Sequence, residues 1–300
     1  MKPKTAKELP IAHLANEFAL QGKVDFTNAR EWIIFLYLVA QLDPLNQDEL
    51  PPEAIIPLSD LVKIINKNAT RSGGLYEEIR KATKRMAKVV CEFSSDVFIG
   101  DKALPTYVPI FSAIGAKKIN GNIYISYEFN EKMTPLLLGF RRNFLNIQLP
   151  KEIGSAHAIR FLLYAKAERD RRKKEGQETI IQFEIDELKK LLRIEGKYNS
   201  FKNFRVRVLE PIQDGVNQSG IIEMLNIEYI RKGRKITKIN FYIRDAAPSQ
   251  ETKNILAPLP NEDDGELEKA IDNLTFSQEK AYHFLIDKAI FPAILGLAKN

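Results

Sequence analysis

The sequence predicts an α+β protein in which one order of elements is used twice: helix, short helix, longer basic helix, β-hairpin. Three observations carry that expectation. Apolar residues recur at steps of three and four in the helical stretches and alternate in the strand-like ones. A turn signal sits inside the strand pair that closes each half, Asn120-Gly121 in the first and Gly233 within "RKGR" in the second. Charge is sorted in the same way, with +3 over residues 1–154, +8 over 155–244 and −5 over 245–300, in a chain of net charge +6.

The first copy is expected within residues 1–150. "NAREWIIFLYLVAQL", Asn28 to Leu42, has the spacing of an amphipathic helix rich in core residues. "PPEAIIPLSDLVKIIN" is expected to give a short helix capped by Ser59-Asp60. "SGGLYEEIRKATKRMAKVV" follows as a longer helix, with Leu75, Ile79, Ala82 and Met86 inward and Arg80, Lys81, Lys84, Arg85 and Lys88 outward. "VPIFSAIGAKKI" and "NIYISYEF" alternate as strands about the Asn-Gly turn. The boundary is expected near "RRNFLNIQLPKEIGS", where Pro150 and Gly154 break the periodicity.

The second copy is expected within residues 151–244. "SAHAIRFLLYAKAERD" is a helix opened by Ser155, "TIIQF" a short strand, and "DELKKLL" a short helix capped by Asp186. In "KYNSFKNFRVRVLEPIQDGVN", Phe201, Phe204, Val208, Ile212 and Val216 share one helical face; Asn199 or Ser200 can cap the start, and Pro211 interrupts the pattern. "IIEMLNIEYI" and "KITKINFYI" alternate as the closing strands. Residues 245–300 are expected to form a flexible acidic linker, then a terminal helix broken or kinked at Pro292.

Helix, turn, longer helix and hairpin make a winged helix-turn-helix, so the expected fold is two such domains in tandem with a flexible acidic C-terminal tail. This architecture has a mechanical reason to bind DNA. The longer second helix fills the major groove, where base edges are distinguishable, while its inner face stays apolar to dock on the domain. Lys202, Asn203 and Arg207 point away from the apolar stripe, and Arg205 lies at its flank. Arg231, Lys232, Arg234 and Lys235 stand at the tip of the second hairpin, where a wing meets the adjacent backbone. Arg80, Lys81, Lys84 and Arg85 are the counterparts on the first longer helix.

Other chemistry finds little purchase. A single cysteine, Cys91, allows no internal disulfide and sits in an apolar segment as a core residue. No GxxxxGK[ST] phosphate loop occurs, and His13, His157 and His283 are scattered. Glu262, Asp263, Asp264 and Glu266 read as a solvated acidic run rather than a metal site, and "RRKKEG", Arg171 to Gly176, as an exposed loop. No catalytic centre, cofactor or metal is therefore expected. The longest apolar run, Trp32 to Ala40, is too short to span a bilayer, and the first twenty residues lack a signal-peptide core. A cytoplasmic protein without a membrane partner is expected.

The segments "SAHAIRFLLYAKAERD", "FEIDELKKLLRI", "YNSFKNFRVRVLEPI", "VN" and "GRKITKINFYI" stand in the order seen in bacterial plasmid replication initiators of the Rep_3 type, and "GGLYEEIRKATKRMAKVV" is similar to their front half. The resemblance covers roughly residues 25 to 244. It implies two winged-helix domains that bind direct repeats (iterons) of a replication origin as a monomer and help to open it. It also implies a monomer–dimer equilibrium, in which the dimer represses the protein's own gene at an inverted repeat, and host partners such as a helicase or initiator. By position it carries over Lys202, Phe204, Arg205, Arg207, Val208, Leu209 and Pro211 as recognition-helix residues and Arg160 as an Arg usual in the preceding helix. Two positions depart: Val206 stands where the family is often basic, and Ile212 where a small residue is usual. The alternatives are a plain winged-helix transcriptional regulator, a nicking or priming enzyme with an atypical carboxylate site, and a front half devoted to dimerisation.

Overall fold

Asn28 opens the central helix of the first domain with a reciprocal cap. Its side chain accepts from the Glu31 N–H at 3.1 Å, and the Glu31 carboxylate accepts from the Thr27 N–H at 2.7 Å. The computed structural model describes residues 11–44, 47, 49–65, 72–93, 98–99, 102–103, 106–138, 144–148, 153–172 and 178–246. They fall in one compact unit, Met1–Ala247; the second unit, Pro248–Asn300, lies outside the described residues. The acidic linker, the terminal helix with Pro292, His283 and residues 173–176 of the basic loop are thus outside them as well.

The first domain begins with β1 (Ile11–Ala15), α1 (Asn16–Leu20) and β2 (Lys23–Val24), followed by α2 (Ala29–Val39), whose residues are nearly all buried. Phe18, Phe26, Trp32 and Phe35 pack ring on ring around it. Next come β3 (Ala54–Pro57), α3 (Leu58–Ile65) and α4 (Ser72–Met86). Ser59 and Asp60 lie inside the first turn of α3 rather than capping it, because Ile55-Ile56-Pro57 is already a strand and the helix starts at once. Ile79, Ala82 and Met86 of α4 are buried as expected, whereas the side chain of Leu75 falls outside the described residues. Short strands β4 (Val90–Glu92), β5 (Phe98–Ile99), β6 (Lys102–Ala103) and β7 (Tyr107–Pro109) precede the hairpin β8 (Phe111–Ile119) and β9 (Asn122–Phe129). At its tip Asn120 and Gly121 both have positive φ, 49° and 82°, as a tight Asn-Gly turn requires. The domain closes with a 3₁₀ turn (Glu131–Met133), α5 (Thr134–Leu137) and β10 (Phe144–Gln148).

The second domain repeats the plan with fewer insertions. Its α6 (Ala156–Arg171) is capped by Ser155, whose hydroxyl accepts from Ala158 N–H at 3.3 Å. Then come β11 (Thr179–Glu184) and α7 (Ile185–Leu191). The cap of α7 is Glu184, in a reciprocal box with Glu187, and not Asp186, which sits in the first turn: the strand hands the chain straight to the helix two residues earlier than its polar pattern implies. α8 (Phe201–Phe204), a π-helical turn (Arg205–Leu209) and α9 (Glu210–Ser219) form one continuous helix, and the hairpin β12 (Ile222–Lys232) and β13 (Lys235–Asp245) ends the domain. Gly233 turns it with φ 63°. Strand order is β3-β9-β8 in the first domain and β11-β13-β12 in the second, the same first–third–second topology.

Interactions between residues distant in sequence tie the two together. β1 pairs with β10 inside the first domain, in antiparallel register from Ile11↔Gln148 to Ala15↔Phe144, and α6 of the second domain packs on β10, α1 and α2. Buried Arg160 of α6 donates to Ala19 O at 2.7 Å and Gly22 O at 2.6 Å. Glu92 of β4 accepts from Arg193, just beyond α7, at 2.8 Å.

Candidate nucleic-acid interface

The helix 201–219 is laid on its domain by Phe204, Val208, Leu209, Ile212 and Val216, all buried. Leu209 is an addition to the stripe read from the sequence. Its burial next to Val208 follows from the π-helical turn, in which Glu210 N–H bonds to Arg205 O, a step of five. The cause is Pro211. Lacking an N–H, it would leave the carbonyl four residues back without a partner and crowd it, and a widened turn relieves both. The helix therefore runs through Pro211 instead of ending there.

Its start is fixed by aromatic packing. Phe201 meets Phe204 and Tyr229 edge-on, the Tyr229 ring centroid 5.2 Å away on β12, so the helix start is joined to the base of the wing. Lys189 of α7 lies over the Phe204 ring at 5.6 Å and donates to Tyr198 O at 3.3 Å, holding the two helices of the helix-turn-helix together. The far end is clamped by Asn217, which accepts from Met224 N–H at 2.7 Å and donates to Met224 O at 3.2 Å beside the bulge in β12.

On this frame Lys202, Asn203, Arg205 and Arg207 are all exposed, as are Arg231, Lys232, Arg234 and Lys235 around the wing tip. The side chains of Lys202, Asn203, Arg207 and the four wing cations make no hydrogen bond or ion pair among the described residues. Arg205 is the exception: its Nε lies 3.3 Å from Glu210 Oε1, one turn along. Exposed on both sides, this pair adds little to stability but orients the guanidinium.

The first domain presents Arg80, Lys81, Lys84 and Arg85 on the exposed face of α4. They are not equivalent. Arg85 Nε donates to Glu31 Oε1 at 2.6 Å, and Glu31 is buried, so Arg85 neutralises the cap of α2 and is committed to the fold. Arg80 pairs with Glu77 one turn back at 3.2 Å, and Arg30 of α2 pairs with Glu78. Lys81 and Lys84 are left without partners among the described residues. In the first wing, Glu53 takes Lys117 and Ser126, and those bonds hold its carboxyl below the usual range, leaving Lys118 exposed nearer the tip.

Arg160 is the functional-looking residue whose place sequence reasoning could not supply. It is buried between domains, away from the basic face, and burial lowers its pKa to about 10. Cys91 is buried beside it, and burial pushes its thiol up to about 12, the behaviour of a core residue. Among the described residues no three His, Cys, Asp or Glu side chains gather as a metal site, and no helix is long and apolar enough to cross a membrane.

Among solved structures, a crystal structure of "Pi initiator protein in complex with iteron DNA" matches with a TM-score of 0.57 and 17% identity, covering 79% of this chain and 98% of that one. Domains 2 and 3 of RctB match with a TM-score of 0.44 and 11% identity over 82% of this chain and 95% of that one. No curated protein matches. At 17% identity, the likeness to the Pi initiator shows a shared fold. Residues 13–166 match the family described as "Initiator Replication protein, WH1" and residues 184–243 match "Initiator Rep protein, WH2". With both winged-helix regions matched in order over more than half its length, the chain belongs to the initiator replication protein family.

Proposed function

We propose that this chain initiates plasmid replication by binding repeated double-stranded DNA elements at an origin, with the helix 201–219 in a major groove and the wing 231–235 on the neighbouring backbone. One observation carries the reading: Lys202, Asn203 and Arg207 are exposed and without protein partners on a helix whose opposite face is fully buried, next to a wing tip with four more unpaired cations. Side chains held out on a rigid element, at no cost in broken ion pairs, are suited to phosphates and base edges. The Pi initiator, which shares the fold, was crystallised on iteron DNA, and that supports the same use here.

The first domain is assigned the adjacent groove, about 10 bp away, through Lys81 and Lys84, with Arg80 beside them. The action is binding and deformation of DNA, with no strand chemistry of the chain's own. Autorepression as a dimer at an inverted repeat, and recruitment of a host helicase or initiator, belong to the same reading by family. The test is footprinting of the purified chain on DNA flanking its own gene. Protection of a set of direct repeats is expected; no protected repeat anywhere in that DNA would overturn the reading.

A further inference from the structure

We infer that Val206 is a base-reading residue that selects thymine by its C5-methyl group; the inference rests on the DNA-binding reading above and deepens it. The buried pair Phe204 and Val208, about one π-helical turn apart, fixes the inward direction of the helix, and the exposed residue midway between them points outward. That residue is Val206. Lys202, Asn203 and Glu210 lie one turn before and after it on the same outward stripe, while Arg205 and Arg207 fall to its two sides.

The centre of the most outward stripe is therefore an apolar side chain, 46% exposed, with Lys202, Asn203, Arg205, Arg207 and Glu210 around it. It contributes nothing to the core, since Phe204, Val208 and Leu209 close the buried face without it. In a major groove the outermost residue of the helix lies nearest the floor. There the one apolar feature offered by any base pair is the methyl of thymine. Arg205 and Arg207, on the flanks, are placed to reach the groove walls and hold the helix at that depth. Glu210, one turn further on, pairs with Arg205 at 3.3 Å.

Packing of the valine against a thymine methyl removes about one methyl group from water on each partner. Loss of either should cost about fourfold in affinity, the equivalent of one buried CH₂. The experiment uses the full chain and a duplex recovered by it from a random-sequence pool. Each thymine in that duplex is replaced singly by deoxyuridine, which lacks only the methyl, and affinities are measured for wild type and Val206→Ala. At one or two positions deoxyuridine should weaken the wild type about fourfold and leave Val206→Ala unaffected. Val206 is exposed, so an unchanged thermal midpoint should confirm that the variant is folded. Losses that are the same for both proteins at every thymine would overturn the assignment while leaving the DNA-binding reading intact. Failure to enrich any sequence would overturn that reading, and this inference with it.

Discussion

Arg160 forks its two terminal nitrogens onto Ala19 O and Gly22 O, backbone acceptors 141 and 138 residues away. Only the planar guanidinium reaches both at once. Burial disfavours its charge, and the two short charge-assisted bonds offset that cost. Arg160→Met should leave two buried carbonyls unpaired and lower stability by about 3 kcal/mol in urea unfolding; a loss below about 0.5 kcal/mol would mean that water replaces the side chain. No reading of the local sequence could have found those partners, and only family resemblance drew attention to the position. The same holds for Arg85, whose outward place on α4 was legible but whose commitment to Glu31 was not, because the carboxylate lies 54 residues earlier. His157, on α6 near Lys197, has its pKa lowered first by burial and then by that lysine. The unfolded chain then binds a proton more readily than the folded one. Stability should be full above about pH 6.5 and fall as pH drops through the interval down to the folded pKa. As the pH is lowered from about 7 to about 5, the thermal midpoint of the wild type should fall relative to that of His157→Gln; parallel curves would place the titration elsewhere.

The elements legible in the sequence were those with a strong local period or an unmistakable turn. These were α2, α3, α4, α6, β11, α7, the helix 201–219 and both hairpins. Those missed depend on partners far along the chain. β3 is four residues ending in proline and becomes a strand because β9 pairs with it. β1 and β10 stabilise each other across about 130 residues, and β10 lies in the stretch where the periodicity broke. The π-helical turn was hidden, since the apolar face carries the pattern past Pro211 to Ile212 and Val216 but does not show how the turn before it widens and buries Leu209. Gly215 belongs to the same helix. A Cβ there would meet Ala158 Cβ at 2.7 Å and Ile153 Cγ2 at 3.2 Å, so glycine is what lets α9 approach α6. Gly215→Ala should cost about 1–3 kcal/mol by overpacking, despite alanine's better helix propensity. A stabilised variant would show that α6 can withdraw without loss. Phe204→Ala should cost about 3–5 kcal/mol, since the ring is buried and packs against Phe201, Tyr198 and Lys189.

At the scale of the whole molecule, two winged domains are held in one compact unit by the packing of α6 on α1, α2 and β10, by Arg160 and by the Arg193–Glu92 pair. Residues 151–244 alone would lose the acceptors of Arg160 and uncover the face of α6 that meets α1 and α2, so the division of labour is best tested in the full chain. Once one domain is seated on DNA, the other is presented to its groove at high effective concentration. Weakening the first domain should therefore shorten the protected stretch without abolishing binding by the second. Lys81→Ala with Lys84→Ala removes two unpaired surface cations and breaks no ion pair among the described residues, so the fold should be unchanged. The expected footprint of this variant is about one helical turn shorter at one end, with protection by the second domain retained. The wing variant Lys232→Ala with Lys235→Ala should behave differently. It should weaken binding to specific and random DNA alike and lower the slope of log affinity against log salt by about two, one for each phosphate that is no longer neutralised. If the Lys81 and Lys84 variant keeps the full footprint and its salt slope, the first domain does not touch DNA, and its contribution would lie in holding copies of the chain together.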